Sequence, residues 1–225
     1  MSELGSGSWE QYHRDLEANG HALLWPDDFV IRFVNAVVLP RGQRRILEVG
    51  CGAGRHVLLF ARSGLEVVGT DLAESALDFT RRRLEQERLA GVQLEQAHAS
   101  ELPFPDASFD ALLAWRFLHV LGRDEARRAV AEMARVLRPG GSVLVGTRSP
   151  RSTNHALVQQ GRGPDRDFAY QNGQLSERAV ADVYYTRDEL AELFAGFKEI
   201  EIEHIEWTRK NGAFTVAYWS LSGTR

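Results

Sequence analysis

Three glycines alternate with other residues behind an acid in the run Glu48–Val49–Gly50–Cys51–Gly52–Ala53–Gly54. Between a strand and a helix, that spacing lets the backbone turn tightly and lets a ligand approach the main chain. The free N–H groups at the helix start then attract an anionic or electron-rich group. A dinucleotide-type G-x-G-x-x-G loop would need glycine at position 55, which is Arg55, so a pyrophosphate cradle is disfavoured. Asp71 closes the next apolar run, and a carboxylate there offers two acceptor oxygens to a ribose diol. It can also cap the helix beginning near Ala73, and the two roles are compatible. Cys51 reads as a small residue at a turn rather than a nucleophile, because no His-paired arrangement is visible.

Arg116 and His119 follow a later apolar run, at the end where open α/β sheets bind ligands. His119 is the candidate base or acceptor-orienting group; the alternative is that it packs at the start of a connecting segment. Two further regions are rich in groups that could form an acceptor site. The first holds Trp9, Tyr12, His13, Arg14, His21 and Trp25, the second Arg148, Arg151, Asn154, His155, Tyr170, Tyr184 and Tyr185. Their alternatives are aromatic packing on a sheet edge and an ordinary solvated loop. Arg81–Arg82–Arg83, with Glu85 and Glu87 beside it, reads as a solvated helix face.

Short apolar runs must place these loops. Arg45–Gly50, Glu66–Gly69, Val92–Ala97, Phe109–Trp115 and Ser142–Thr147 read as buried strands. Gly54–Ser63, Ala73–Leu89 and Asp124–Leu137 read as helices between them, the last ended by Arg138–Pro139–Gly140–Gly141. This alternation predicts βαβ units and an open, doubly wound sheet covered on both faces. Upstream lie a polar tail, a short helix over Trp9–Ala18 and a second helix opened by Pro26–Asp27–Asp28. Residues 148–185 break the rhythm and predict a helical or hairpin insert over the ligand edge. Asp188–Phe194 is a helix, and Glu199–Trp207 and Ala213–Trp219 flank Lys210–Asn211–Gly212, a hairpin signal that makes the last strand pair antiparallel.

The chain has 225 residues, 44% apolar and 26% charged, which suits one α/β domain with additions. A net charge of −4 argues against bulk electrostatic capture of nucleic acid. One cysteine excludes an intrachain disulfide and a Cys-rich metal site, and no metal site is expected. The start has no basic or apolar leader pattern, and no apolar run approaches the ~20 residues a bilayer needs, so a cytoplasmic location without membrane contact is expected.

Four segments occur in order: ILEVGCGAGRHVLLFARSG, VVGTDLAESALDFTRRR, LPFPDASFDALLAWRFLHVL and EMARVLRPGGSVLVGT. Together they resemble the class I S-adenosylmethionine-dependent methyltransferases, in particular the small-molecule-type, methyltransferase domain 11-like branch. The resemblance covers roughly residues 45–148 with the closing helix and hairpin. It implies a doubly wound, mostly parallel, seven-stranded Rossmann-like sheet with an antiparallel last strand. It divides the chain into tail and lid helices (1–42), cofactor-binding core (43–147), insert over the acceptor site (148–185) and closing helix and hairpin (186–225).

The resemblance also implies roles. Glu48 organises the loop and the methionine amino group; Gly50, Cys51, Gly52 and Gly54 line the methionine part. Asp71 holds the ribose, Leu72 packs on adenine and Ala99 offers a backbone N–H to the adenine edge. Ala114 and Trp115 flank the sulfonium, and Tyr12 reaches the cofactor carboxylate. His98 stands where the family often has an Asp that accepts from the adenine amino group; a neutral imidazole with a fixed tautomer can accept too. Acceptor contacts are assigned to His13, Trp25, Arg116, Arg148, Tyr170 and Tyr184. The implied activity is in-line methyl transfer to O or N of a small or mid-sized molecule by a monomer or homodimer, with S-adenosylhomocysteine as product. The alternatives are a noncatalytic S-adenosylmethionine-binding partner subunit, or an RNA or protein methyltransferase. Against the RNA option, AWRF stands after the fourth strand rather than an Asn-Pro-Pro-Tyr-like motif.

Overall fold

A computed structural model describes residues 6–160 and 183–225. Seven strands form one sheet: β1 (Arg45–Val49), β2 (Glu66–Asp71), β3 (Val92–Gln96), β4 (Phe109–Trp115), β5 (Leu137–Arg148), β6 (Lys198–Arg209) and β7 (Phe214–Thr224). Their order is β3-β2-β1-β4-β5-β7-β6. The pairs from β3 to β5 are parallel, while β7 runs antiparallel to both β5 and β6. The doubly wound sheet is thus as expected, with β7 the antiparallel strand and the 210–212 hairpin turn in place.

Helices α1 (Ser6–Ala18), α2 (Asp28–Phe33), α3 (Arg55–Arg62), α4 (Glu74–Gln86), α5 (Arg123–Val136), α6 (Thr153–Gln159) and α7 (Arg187–Leu193) surround it. α2 runs directly into a π-turn over Val34–Val38, which carries the expected apolar face inward through Val34 and Val38. α7 begins with a capping box in which Thr186 and Glu189 satisfy each other's backbone N–H.

Successive side chains on a strand point to opposite faces, and β4 feeds two cores. Leu112 and Ala114 join Leu47, Met133, Val145 and Phe194 on the α5–α7 side. Ala111, Leu113 and Trp115 join Ile46, Phe60, Leu77 and Val34 on the other. One correction concerns β5. The sequence places its start at Ser142, but pairing begins with Leu137 opposite Phe109, shifts register, and resumes with Ser142 opposite Ala111. The Pro-Gly-Gly turn lies inside the strand because Gly141 is pressed against backbone: a Cβ there would meet the carbonyls of Arg138 and Asp110 at 2.9 Å.

Of the insert, Thr153–Gln159 is helical; residues 161–182, including Tyr170, lie outside the described residues. The returning chain is tied down where Val183 N–H donates to the His119 carbonyl (2.8 Å) and Tyr185 N–H to that of Arg148 (3.3 Å).

Candidate active site

A cavity of about 280 Å³ opens at the C-terminal ends of β1, β2 and β4, where an open α/β sheet presents its loops. The end of β1 supplies Glu48 and the loop after it Gly50, Cys51 and Gly52; β2 supplies Asp71, followed by Leu72. His98 and Ala99 follow β3, Trp115 ends β4, and Arg116 and His119 follow it. From farther away come Tyr12 and His13 of α1, Arg148 of β5 and Tyr218 of β7.

Asp71 braces the floor. Its Oδ2 accepts the Gly52 N–H (2.8 Å) and its Oδ1 the Ala73 N–H (3.0 Å). Turn brace and helix-start acceptor therefore coexist in one side chain. An ionised carboxylate offers about four acceptor positions, so two remain. Gly50 holds φ +70°, and a Cβ there would lie 2.4 Å from the Phe117 ring.

Glu48 is buried and accepts from His56 Nδ1–H at 2.8 Å. The Asp27 N–H approaches the other ring nitrogen of His56 at 3.4 Å, which fixes a neutral tautomer. Burial pushes the Glu48 carboxyl up and the His56 imidazole down. Arg55, at the position where a dinucleotide loop would carry glycine, pairs with Asp27 at 2.7 Å. Asp27 also takes Arg116 at 3.2 Å, so it serves as the hub of two arginines rather than as a side-chain cap for α2.

At the other end, Arg116 occupies the left-handed region (φ +55°) that non-glycine residues seldom adopt. Its guanidinium lies 4.8 Å above the Tyr218 ring and 5.8 Å above Trp207. His119 is buried in a 3-10 turn, and burial, then Arg148 and Arg116, holds its imidazole well below the ordinary histidine range. The Cys51 thiol is pushed up by burial, with Asp71 and Glu48 adding to the effect; a thiol so held is a poor nucleophile.

α1 is clasped to α4. Both oxygens of Glu10 accept N–H groups of the first α4 turn, from Glu74 (2.5 Å) and Ser75 (3.1 Å). Glu17 pairs with Arg82 at 2.5 Å. The Arg81–Arg83 run is therefore more than a solvated face: Arg83 donates to the carbonyls of Ala53 (2.6 Å) and Leu24 (3.0 Å), joining the glycine loop to the segment after α1.

Not every candidate reaches the cavity. Gly54 is not in its wall; it packs on α4, where a Cβ would meet Thr80 at 2.4 Å. Ala114 points into the α5 core because strand parity sends only Trp115 to the cavity side. Trp25 is 79% exposed and outside the lining, and Tyr184 packs against His155 with ring centroids 4.7 Å apart. Sequence reasoning missed His56, Glu125 and Tyr218, all in the lining. Only Tyr218, on an alternating strand, carried any local signal.

The chain resembles known proteins over much of its length. A methyltransferase-domain family model matches residues 46–141. The fatty-acid O-methyltransferase of Mycolicibacterium smegmatis is 40% identical over 110 residues, 48% of this chain and 38% of that one. The 27-O-demethylrifamycin SV methyltransferase of Amycolatopsis mediterranei is 30% identical over 192 residues, 76% of this chain and 70% of that one. The chain belongs to the S-adenosylmethionine-dependent methyltransferase family. A solved S-adenosylmethionine-dependent methyltransferase from Methanosarcina mazei shares the fold, with a TM-score of 0.65 at 20% identity over 89% of this chain and 99% of its own. The chain spans only about a third to a half of the length of several curated relatives.

The residues present fit the family's cofactor. Asp71 keeps acceptor positions for a diol. Oε2 of Glu48, buried, makes no hydrogen bond of ordinary geometry among the described residues and suits a cationic amine. The Ala99 N–H donates to no described residue. Among the described residues, no helix is long and apolar enough to cross a membrane.

The buried imidazoles make stability depend on pH. His13, His56 and His119 all sit below the usual histidine range, chiefly through burial. Unfolded, each titrates near 6.5. The unfolded chain thus binds more protons in mild acid, and stability present above about pH 6.5 is lost as pH falls. Glu48, whose carboxyl is raised, acts in the opposite sense, so the comparison is made against a variant. Between pH 7.5 and 5.5 in urea, the wild type should lose more stability than His119→Gln, by up to about 1.4 kcal/mol per pH unit. Parallel pH curves would contradict the assignment.

Proposed function

We propose that this chain transfers a methyl group from S-adenosylmethionine to an oxygen or nitrogen of a small or mid-sized acceptor. The supporting observation is that one cavity joins the Glu48–Gly52 loop and Asp71 to Arg116, His119, Arg148 and Tyr218. When bound, S-adenosylmethionine supplies a methyl group on a positively charged sulfur that departs as a neutral thioether. Asp71 holds the ribose hydroxyls, Glu48 the amino group, and Leu72 and the Ala99 N–H the adenine. Trp115, stacked on Phe29 with centroids 5.9 Å apart, is a rigid wall between the two ends. Tyr12 and His13 of the clasped α1 line the cavity beside the glycine loop, and alignment of the acceptor falls to the β4 and β5 ends. The names of the M. smegmatis and A. mediterranei relatives favour oxygen as the acceptor atom.

His119 is neutral at physiological pH because of its burial and the two nearby arginines. A neutral imidazole can take the proton of a weakly acidic hydroxyl or amine as its methyl bond forms. His119→Ala should therefore lower kcat by about 100-fold or more while the affinity for S-adenosylhomocysteine stays within about twofold. Because its folded pKa is depressed, any acidic fall in kcat owed to His119 should lie below pH 6.5. An unchanged kcat would remove it from the reaction. The overall reading is tested by calorimetric titration with S-adenosylmethionine and S-adenosylhomocysteine, then by a one-methyl mass gain across a panel of hydroxyl- and amine-bearing acceptors. Absence of binding would overturn it.

A further inference from the structure

At the β3 edge of the cavity an imidazole and a carboxylate meet. His98 Nδ1 lies 2.7 Å from Ser100 Oγ and 3.3 Å from the Ser100 N–H. Its Nε2 lies 2.9 Å from Oε1 of Glu125, in the first turn of α5. An ionised carboxylate only accepts. Two lone-pair atoms repel at that separation unless a proton lies between them, so Nε2 carries the proton. Nδ1 is then the acceptor, and Ser100 fills it. The imidazole has no position left for an incoming N–H.

Glu125 does have positions left. Its side chain is 13% exposed and borders the cavity together with Leu72, Ala97, Ala99 and Leu121. The same cavity is lined by Ala99, whose N–H donates to no described residue. A donor and an acceptor in one cavity match the edge of adenine, where a ring nitrogen accepts and the exocyclic amino group donates.

We propose that the Glu125 carboxylate, rather than His98, reads the exocyclic amino group of the bound adenine, and that His98 is a positioning residue holding Glu125 in place. This rests on the cofactor reading of the cavity given above.

The test compares S-adenosylhomocysteine with its inosine counterpart, in which a carbonyl replaces the amino group and the neighbouring ring nitrogen carries a proton. Both are titrated calorimetrically against wild type, Glu125→Ala, Glu125→Gln, His98→Ala and His98→Asn. The wild type should prefer the adenine form by at least about tenfold. In Glu125→Ala that ratio should fall at least about threefold, the remainder coming from the Ala99 N–H, which faces a protonated ring nitrogen in the inosine form. Glu125→Gln, whose amide can donate to the carbonyl, should also narrow it. His98→Asn, which can still donate to Glu125, should keep more of the preference than His98→Ala. Each ratio is internal to one protein, so a loss common to both ligands does not imitate the effect. A wild-type ratio in Glu125→Ala would overturn the proposal while leaving the cofactor reading intact. Failure of the wild type to bind either ligand would overturn both.

Discussion

Asp71→Ala should weaken binding of S-adenosylhomocysteine by about 100-fold or more, because one carboxylate does two jobs. Its internal bonds to the Gly52 and Ala73 N–H groups hold the glycine loop against the start of α4. Its remaining acceptor positions are the ones proposed to take the ribose diol. Hydrogen bonds to charged groups are worth about 1.5–3 kcal/mol each, so losing the ligand's share alone reaches that factor. The two freed N–H groups should lower stability by about 1–2 kcal/mol besides. Asp71→Asn keeps one acceptor oxygen and should fall between the two proteins. Calorimetry and thermal unfolding of both variants check this. If Asp71→Ala binds as the wild type does, the residue is a brace for the loop and nothing more.

The second large effect is expected at Gly50. A residue with a Cβ at φ +70° costs about 1–2 kcal/mol through the backbone alone. Here the added methyl would also lie 2.4 Å from Cδ2 of Phe117. That ring borders the cavity, so it can yield only by moving. Gly50→Ala should lower Tm by about 5–10 °C and S-adenosylhomocysteine affinity by more than about tenfold. Gly64→Ala is the matched control: φ is +74°, but no atom lies within 4 Å of the added methyl. It should carry the backbone cost alone, about 2–8 °C and less than Gly50→Ala, and bind normally. Equal behaviour of the two variants would show that the Phe117 contact is immaterial.

The alternation of strands and helices along the chain was readable because each buried strand is a short apolar run and each crossover has a helical period. The grouping of Glu48, Gly50, Gly52 and Asp71 in one cavity was readable for a related reason: they sit at or next to the strand ends that place them. The opposite end was not. Tyr218 reaches Arg116 only because β7 inserts beside β5, a pairing between distant segments that no local pattern announces. Ala114 and Trp115 could have been separated by strand parity, since both flank the same peptide but face different cores. His98 illustrates another limit. Its type was visible, but its protonation depends on Ser100 and on Glu125 from a different helix. Arg83 resembled its neighbours in composition, and only the fold shows it bonding to the Ala53 carbonyl.

The clasp between α1 and α4 bears on which nucleotides the chain can admit. A helix N-terminus next to a ribose-binding acid is a natural seat for a phosphate. In this chain, Glu10 already takes the Glu74 and Ser75 N–H groups, adjoining the Ala73 N–H held by Asp71. If the ribose binds at Asp71 as proposed, a phosphate on it would confront two carboxylates and find those donors taken. The Glu10 carboxylate thus stands where an anionic ligand would otherwise sit, at the first turn of α4.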